Sequence, residues 1–271
     1  MKNDSLIDKN SVETLFQVKK SNSQGTSTRL QAGGIGFRIM TNSGVFPIID
    51  NISLTLKGQE IVGILGPNGC GKSTLLRLLA RLEDPTSGTI DYADKAEKVG
   101  MVFQHVQQNL VPWRTALDNV TLPAILAKEN RGKAAARAKE AFSEMGLEEL
   151  MKRYPHELSG GQQQLITLAR WLVNPPSVLF VDEGWSMLDL VQRQRAYEIL
   201  RRLANQKQCA ICVVSHNIAE LAGVADRALV LTERPAKVAV EVDLNSESSS
   251  IKRSERLWEA AKRIFNAPFM V

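Results

Sequence analysis

The stretch Gly66–Ala80, GPNGCGKSTLLRLLA, sets three glycines ahead of a lysine and two hydroxyl residues, then changes at once to a leucine-rich helical pattern. Just upstream, EIVGILG (Glu60–Gly66) is a short apolar, β-rich run that predicts a buried strand. The spacing G-x-x-x-x-G-K-[ST] therefore falls between a strand and a helix, the context in which it cradles a phosphate. Gly66, Gly69 and Gly71 can take backbone angles closed to residues with side chains, so successive N–H groups can turn inward around an anion. Pro67, Asn68 and Cys70 complete the turn, and the positive end of the following helix adds to its field. Lys72 is expected to reach the β- and γ-phosphates of a nucleoside triphosphate, Ser73 to complete a Mg²⁺ shell, and Thr74 to belong to the same nucleotide-binding turn. For the bare pattern, a glycine-rich turn that merely caps a helix is the plainer alternative. The second chemical signal is SVLFVDEG (Ser177–Gly184), a continuous apolar strand ending in two carboxylates. In an open α/β sheet that places Asp182 and Glu183 at the same carboxyl edge as the phosphate turn. There Asp182 can hold magnesium, usually through water, and Glu183 can polarise a water toward the γ-phosphate.

Positioning these residues requires alternating strands and helices. From GIGFRIM through DNISLTLKGQEIVGILG the chain reads as short strands with turns at NSG and KGQ; EDPTSGTIDY is a turn and a strand, and KVGMVFQ is a strand ending at Gln104. The middle, about Ala116 to Tyr154, is mainly helical, with an apolar stripe at Ala134, Ala138, Ala141 and Phe142 and a solvated basic face at Arg131, Lys133, Arg137 and Lys139. SGGQQQLITLARWLV resumes a helix, CAICVVSH is a buried strand, and RALVLTERPAKVAVEVDL supplies the last strands. This alternation implies a largely parallel sheet covered on both faces, with a helical insert dividing its halves. Residues 1–33 are polar and end in QAGG, which predicts a mobile leader; NSESSS from Asn245 reads as a linker; Leu257, Ala261, Ile264 and Phe265 mark a C-terminal amphipathic helix, expected to dock on its own domain. The organisation expected is thus a leader over 1–33, a nucleotide-binding domain over 34–244 with a helical subdomain at about 105–170, and a linker with terminal helix over 245–271.

Composition narrows the classes. The chain has 271 residues, 44% of them hydrophobic, enough for one large domain and a small appendage. It has no apolar run of membrane-spanning length and no signal-peptide pattern at MKNDSLIDKN, so a soluble, cytoplasmic chain is expected. A net charge of +5, with acidic and basic residues interspersed, does not demand nucleic acid. Three cysteines form no disulfide framework. The C-x-x-C of Cys209 and Cys212 lies in an apolar run whose spacing sends the two side chains to opposite faces of a strand, favouring core packing over zinc or redox chemistry. Cys70 fits the phosphate turn by its small side chain.

LSGGQ (Leu158–Gln162), lying between GPNGCGKST and VLFVDE, resembles the signature of ATP-binding cassette (ABC) ATPases, and Gln104 and His216 sit where that family has its Q-loop and H-loop residues. The likeness spans about residues 35–235. It implies a P-loop NTPase fold of ABC ATPase type: a mostly parallel α/β sheet core, an antiparallel β subdomain and a helical subdomain. It implies ATP and Mg²⁺ as cofactors, and a head-to-tail pair of cassettes, identical or not, in which Ser159, Gly160, Gly161 and Gln162 of one subunit meet the γ-phosphate held by the other. It further implies that Gln104 touches the magnesium or the attacking water, that His216 positions that water beside Glu183, and that Asp189 in SMLD runs along the dimer seam. His105 and His156 carry no such implication and read as surface residues.

NLVPWRTALDNV (Asn109–Val120) and ADRALVLTERPAKV resemble importers for nitrate, sulfonates, taurine and related small anions. That resemblance implies an ATP-hydrolysing importer subunit, peripheral on the cytoplasmic face of the cell membrane, beneath permease subunits and indirectly served by an external solute-binding protein. Pro112 and Trp113 would meet the permease, although Trp113 equally suits internal packing. A soluble ABC ATPase acting on nucleic acid or ribosomes, and a nonhydrolytic regulator, are the rival readings. Three features depart from the family pattern: Gln163 and Leu165 where a basic residue usually follows the signature, Gly184 and Trp185 after Glu183, and an unsettled adenine-stacking residue among Phe37, Met40 and Phe46.

Overall fold

The computed structural model describes residues 27–265, apart from positions 43, 95–96, 106–108, 184 and 186. Two sheets carry the chain. Strands β1 (Thr28–Thr41), β2 (Gly44–Lys57) and β4 (Ser87–Tyr92) form an antiparallel sheet in the order β2-β1-β4. The first strand begins earlier than its composition suggests. Leu30 and Ala32 sit opposite Leu56 and Leu54 and are fully buried, so 28–33 are part of the sheet and not of a leader. The polar and glycine residues between them disguise a period-2 buried face. The rest of the expected leader, residues 1–26, lies outside the described residues.

The larger sheet has six strands in the order β5-β6-β7-β3-β8-β9: β3 (Ile61–Leu65), β5 (Val99–Val102), β6 (Val178–Asp182), β7 (Ala210–Ser215), β8 (Arg227–Leu231) and β9 (Val238–Asp243). All pairings are parallel except β8 with β9. The three central strands β6, β7 and β3 are buried along their whole length. Burial on both faces is why they read as unbroken apolar runs and not as alternating ones. Side chains nevertheless divide by parity. Ile61, Leu65, Leu179, Val181, Ile211 and Val213 enter one core layer; Val62, Ile64, Val178, Phe180, Cys212 and Val214 enter the other. Cys209 and Cys212 fall on opposite sides, free and buried. Burial pushes the Cys212 thiol up to about 12, so neither redox nor metal chemistry is favoured there.

Helix α1 (Lys72–Leu79) lies between the two sheets, burying Leu75, Leu76, Leu78 and Leu79. The opposite face is covered by α2 (Ala116–Leu126), α3 (Arg131–Glu144), α4 (Gly160–Val173), α5 (Leu190–Lys207), α6 (Ile218–Val224) and α7 (Ser250–Ile264). The stripe Ala134, Ala138, Ala141 and Phe142 is buried, and the basic residues of α3 are solvated. The helical insert does not divide the sheet, because β5 and β6 on either side of it are hydrogen-bonded neighbours at one edge. Strand β5 also stops at Val102, two residues before Gln104. The Asn109 side chain takes both backbone groups of Phe103, accepting from its N–H at 2.9 Å and donating to its carbonyl at 2.8 Å, which ends the ladder. Helix α7 is capped by Ser249 and docks Leu257, Ala261 and Phe265 into the main core. Among the described residues no helix is long and apolar enough to cross a membrane.

Candidate functional site

At the carboxyl end of β3 the turn Gly66–Gly71 leads into α1. Gly69 and Gly71 have φ of 75° and 122°, in the region that disfavours side chains. At Gly71 a Cβ would also press on Ile48 Cγ2 at 3.1 Å. Gly66 corrects the expectation for all three: its φ is not positive, and its constraint is space, since a Cβ there would stand 3.0 Å from Cys70 Sγ and 3.3 Å from Leu231 Cβ. The buried Cys70 accordingly fits by being small.

Lys72 is only 5% exposed. Its Nζ donates to the carbonyls of Gly66 and Pro67, both at 3.0 Å, and stands 3.6 Å from Glu183 Oε1. A buried ammonium needs such partners, and carbonyl oxygens of its own turn hold it over the mouth of the loop. Ser73 Oγ donates to Asp182 Oδ1 at 3.0 Å, joining the start of α1 to the end of β6. Burial raises the Asp182 carboxyl above the usual carboxylate range and the neighbouring Glu183 charge adds to this, while the Ser73 hydrogen bond and Lys72 act the other way. Two hard oxygen groups side by side, one a carboxylate that loses stability by burial, suit a Mg²⁺ ion.

Glu183 follows in a left-handed conformation, φ 44°, an uncommon and strained state for a residue with a side chain. Its Oε2 accepts from Gln104 Nε2 at 3.0 Å, and its Oε1 lies 3.2 Å from His216 Nδ1. His216 stands just beyond β7, where Asn217 caps α6. Three strands, β5, β6 and β7, thus deliver Gln104, Glu183 and His216 to one point beside the lysine, and Glu183 has a polar neighbour at each oxygen. The resulting cleft has a volume of about 320 Å³, and Asn68, Ser73 and Thr74 contribute to its walls. Such an arrangement can bind a polyphosphate, hold a divalent cation and orient a water for attack. Arg234, which sequence reading missed, also lines this cleft. Its signals were an Arg-Pro step just past the carboxyl end of a strand and its place in the ADRALVLTERPAKV run, neither of which ties it to the phosphate turn.

The other half of the expected constellation lies elsewhere. Ser159 caps α4 in a reciprocal box, its Oγ accepting from Gln162 N at 3.2 Å and its own N–H donating to Gln162 Oε1 at 2.9 Å. Asp189 caps α5 in the same way with Gln192. The two helix starts abut: a Cβ on Gly160 would collide with the Met187 sulfur, and one on Gly161 with the Gln192 amide and the Met187 carbonyl. None of Ser159, Gly160, Gly161, Gln162 and Asp189 lines the cleft around Lys72.

The departures noted in the sequence have structural uses. Gln163 Nε2 donates to the carbonyls of Pro155 and Leu158, at 2.8 and 3.1 Å, fixing the approach to α4. Leu165 and Trp185 are fully buried, Trp185 edge-on to Tyr197 with ring centroids 5.4 Å apart; Gly184 lies outside the described residues. Phe37 packs against the core, whereas Met40 and Phe46 are exposed near the β1–β2 turn. Trp113 is 77% exposed, which removes internal packing as its explanation. His105 and His156 are exposed, the latter stacked on Tyr154.

Comparison with known proteins places this geometry. The sequence pattern of the ABC transporter family matches residues 49–186. An aliphatic sulfonates import ATP-binding protein of Shouchella clausii is 36% identical over 82% of this chain and 86% of its own length. A methionine import ATP-binding protein of Staphylococcus saprophyticus is 37% identical over 68% of this chain and 57% of its own length. Among solved structures, the dimeric post-hydrolysis state of an ATP-binding cassette bound to ADP and Pi superposes with a TM-score of 0.70 at 28% identity, covering 79% of this chain and 98% of that one.

Proposed function

Given that the chain belongs to the ABC transporter family and is an ATPase of it, we propose that it is the energy-coupling subunit of an importer for a small organic anion of the sulfonate type. Two copies work beneath a permease. The observation that carries this reading is the division of the site: Lys72, Glu183, Gln104 and His216 converge in one cleft, while the signature residues are not among those that line it. A second copy, turned head to tail, supplies Ser159 and the N–H groups at the start of its α4 to the same γ-phosphate.

In this reading Lys72 exchanges its carbonyl partners for β- and γ-phosphate oxygens, and the glycine turn surrounds the β-phosphate with N–H groups. Ser73 and Asp182 are the residues that would hold Mg²⁺, which would supply positive charge against the β- and γ-phosphates. Movement of Lys72 toward the phosphates takes its ammonium away from Glu183 Oε1, 3.6 Å distant here, and leaves that oxygen free to face the water. Glu183 takes a proton from a water whose oxygen bonds to the γ-phosphorus as the bond to the β–γ bridging oxygen breaks, leaving ADP and phosphate. His216 and Gln104 hold Glu183 and the water in line. Closure on ATP stabilises the dimer because both copies contact one phosphate, and hydrolysis removes that contact.

The sulfonate reading draws on the runs around Trp113 and Arg234 and on the sulfonate relatives; the exposed Trp113 suits contact with a permease. The decisive experiment is to reconstitute the complex that copurifies with the tagged chain. Stimulation of its ATPase by a binding protein loaded with an alkanesulfonate supports the proposal. Stimulation by methionine alone, or by nucleic acid without any permease, would overturn it.

A further inference from the structure

Arg234 belongs to none of the motifs that define the site, yet it borders the same cleft as Lys72. Its Nη2 donates to the carbonyl of Gly69, 165 residues away in the chain. The peptide between Gly69 and Cys70 is thereby held at both ends: the carbonyl on Arg234, the Cys70 N–H on the Pro67 carbonyl at 3.3 Å. The second bond is long and is readily exchanged for a phosphate oxygen. The first fixes which way the peptide faces. Gly69 has a φ of 75°, and without a partner for its outward carbonyl this glycine peptide is free to turn over and take the Cys70 N–H away from the anion.

The arginine is itself firmly placed. Its loop, between β8 and β9, is strapped to β2 by Ala236 N to the Ile48 carbonyl and Asp50 N to the Ala236 carbonyl, both at 2.9 Å. Thr232 Oγ1 closes the loop by accepting from Lys237 N at 3.0 Å. Ile48 is the same residue that covers Gly71, so one stretch of β2 supports both the phosphate turn and the arginine loop. The charge of Arg234 reaches the turn: burial pushes the Cys70 thiol up, and Lys72 and Arg234 both oppose that rise. Arg234 is exposed, so nothing about burial forces its bond to Gly69.

We propose that Arg234 is a positioning residue for nucleotide binding, holding the Gly69–Cys70 peptide with its N–H toward the phosphates. This rests on the nucleotide-binding reading of the cleft and adds a residue outside its motifs. It predicts an effect on affinity for diphosphate and triphosphate alike, with little effect on the chemical step. The test measures binding of MgADP and nonhydrolysable MgAMPPNP by calorimetry, and steady-state hydrolysis, in the full chain. Arg234→Ala is expected to weaken both ligands about tenfold and raise KM alike, with kcat within about twofold. Arg234→Lys, which keeps charge and a donor, is expected to recover affinity to within about threefold. Lys237→Ala, which removes only the exposed pair with Asp50, leaves binding unchanged. Unaltered affinity in Arg234→Ala, a fall in kcat at unchanged affinity, or a lysine variant as weak as the alanine one would each overturn the proposal. Failure of the unsubstituted chain to bind either nucleotide would instead remove the site itself.

Discussion

Asp182 shows how a single residue trades stability for chemistry. Burial makes the folded chain hold the Asp182 proton more tightly than the unfolded chain does, so the ionised form costs stability at neutral pH; that cost is relieved as pH falls through the raised folded value. Asp182→Asn keeps an oxygen for the Ser73 hydroxyl and removes the buried charge. The nucleotide-free variant is therefore expected to melt about 2 °C higher, while its Mg²⁺-dependent hydrolysis falls by about a hundredfold or more; a thermal scan and a Mg²⁺ titration check both. In the unsubstituted chain, protons compete with Mg²⁺ at this carboxylate, so Mg²⁺ affinity should decline on acidification sooner than for an exposed aspartate, a dependence absent from the asparagine variant. Residues of this kind were legible because the motif names the residue type and its neighbours. Arg234 was not legible, because no local spacing connects it to Gly69. Gly66 was legible as a glycine but for the wrong reason, since crowding by Cys70 and Leu231 cannot be read from a spacing.

The elements of the central sheet could be read because strands buried on both faces are unbroken apolar runs, as in Val178–Asp182 and Ala210–Ser215. Element ends were harder. β1 begins inside a segment whose Gln31, Gly33 and Gly34 look like a linker, and β5 ends where the Asn109 side chain substitutes for a strand partner. The junction of α4 and α5 was invisible in sequence, since the small residues of the signature had an anion to explain them. The structure adds a packing reason, and it differs between the two glycines. A methyl on Gly160 meets the flexible, exposed Met187 side chain; one on Gly161 meets the Met187 carbonyl at 3.0 Å and the Gln192 side chain that caps α5. Gly160→Ala is therefore expected to melt within about 1 °C of the parent, and Gly161→Ala about 2–4 °C lower, a shift on the scale of one lost cap. Equal melting of the two in a thermal denaturation would contradict this packing account.

At the scale of the whole molecule, two surfaces are left uncovered by the described residues, and the proposed function puts both to work. One is the exposed Trp113 on the helical insert. Trp113→Ala should leave the melting temperature and the hydrolysis rate of the isolated chain unchanged within about twofold, and reduce the permease recovered with a tagged chain about tenfold. The other surface is formed by the signature and the start of α5, where Met187, Leu190 and Val191 are exposed beside Ser159 and Asp189. Family likeness supplied the idea that this surface meets the cleft of another copy; the sequence by itself could not, since the pairing is between chains. The most direct measurement is the solution mass of Glu183→Gln at saturating MgATP. The account predicts a doubling of mass, absent without nucleotide, and abolished by adding Ser159→Glu while ATP remains bound. A chain that stays monomeric with MgATP bound, or a dimer indifferent to Ser159→Glu, would contradict it.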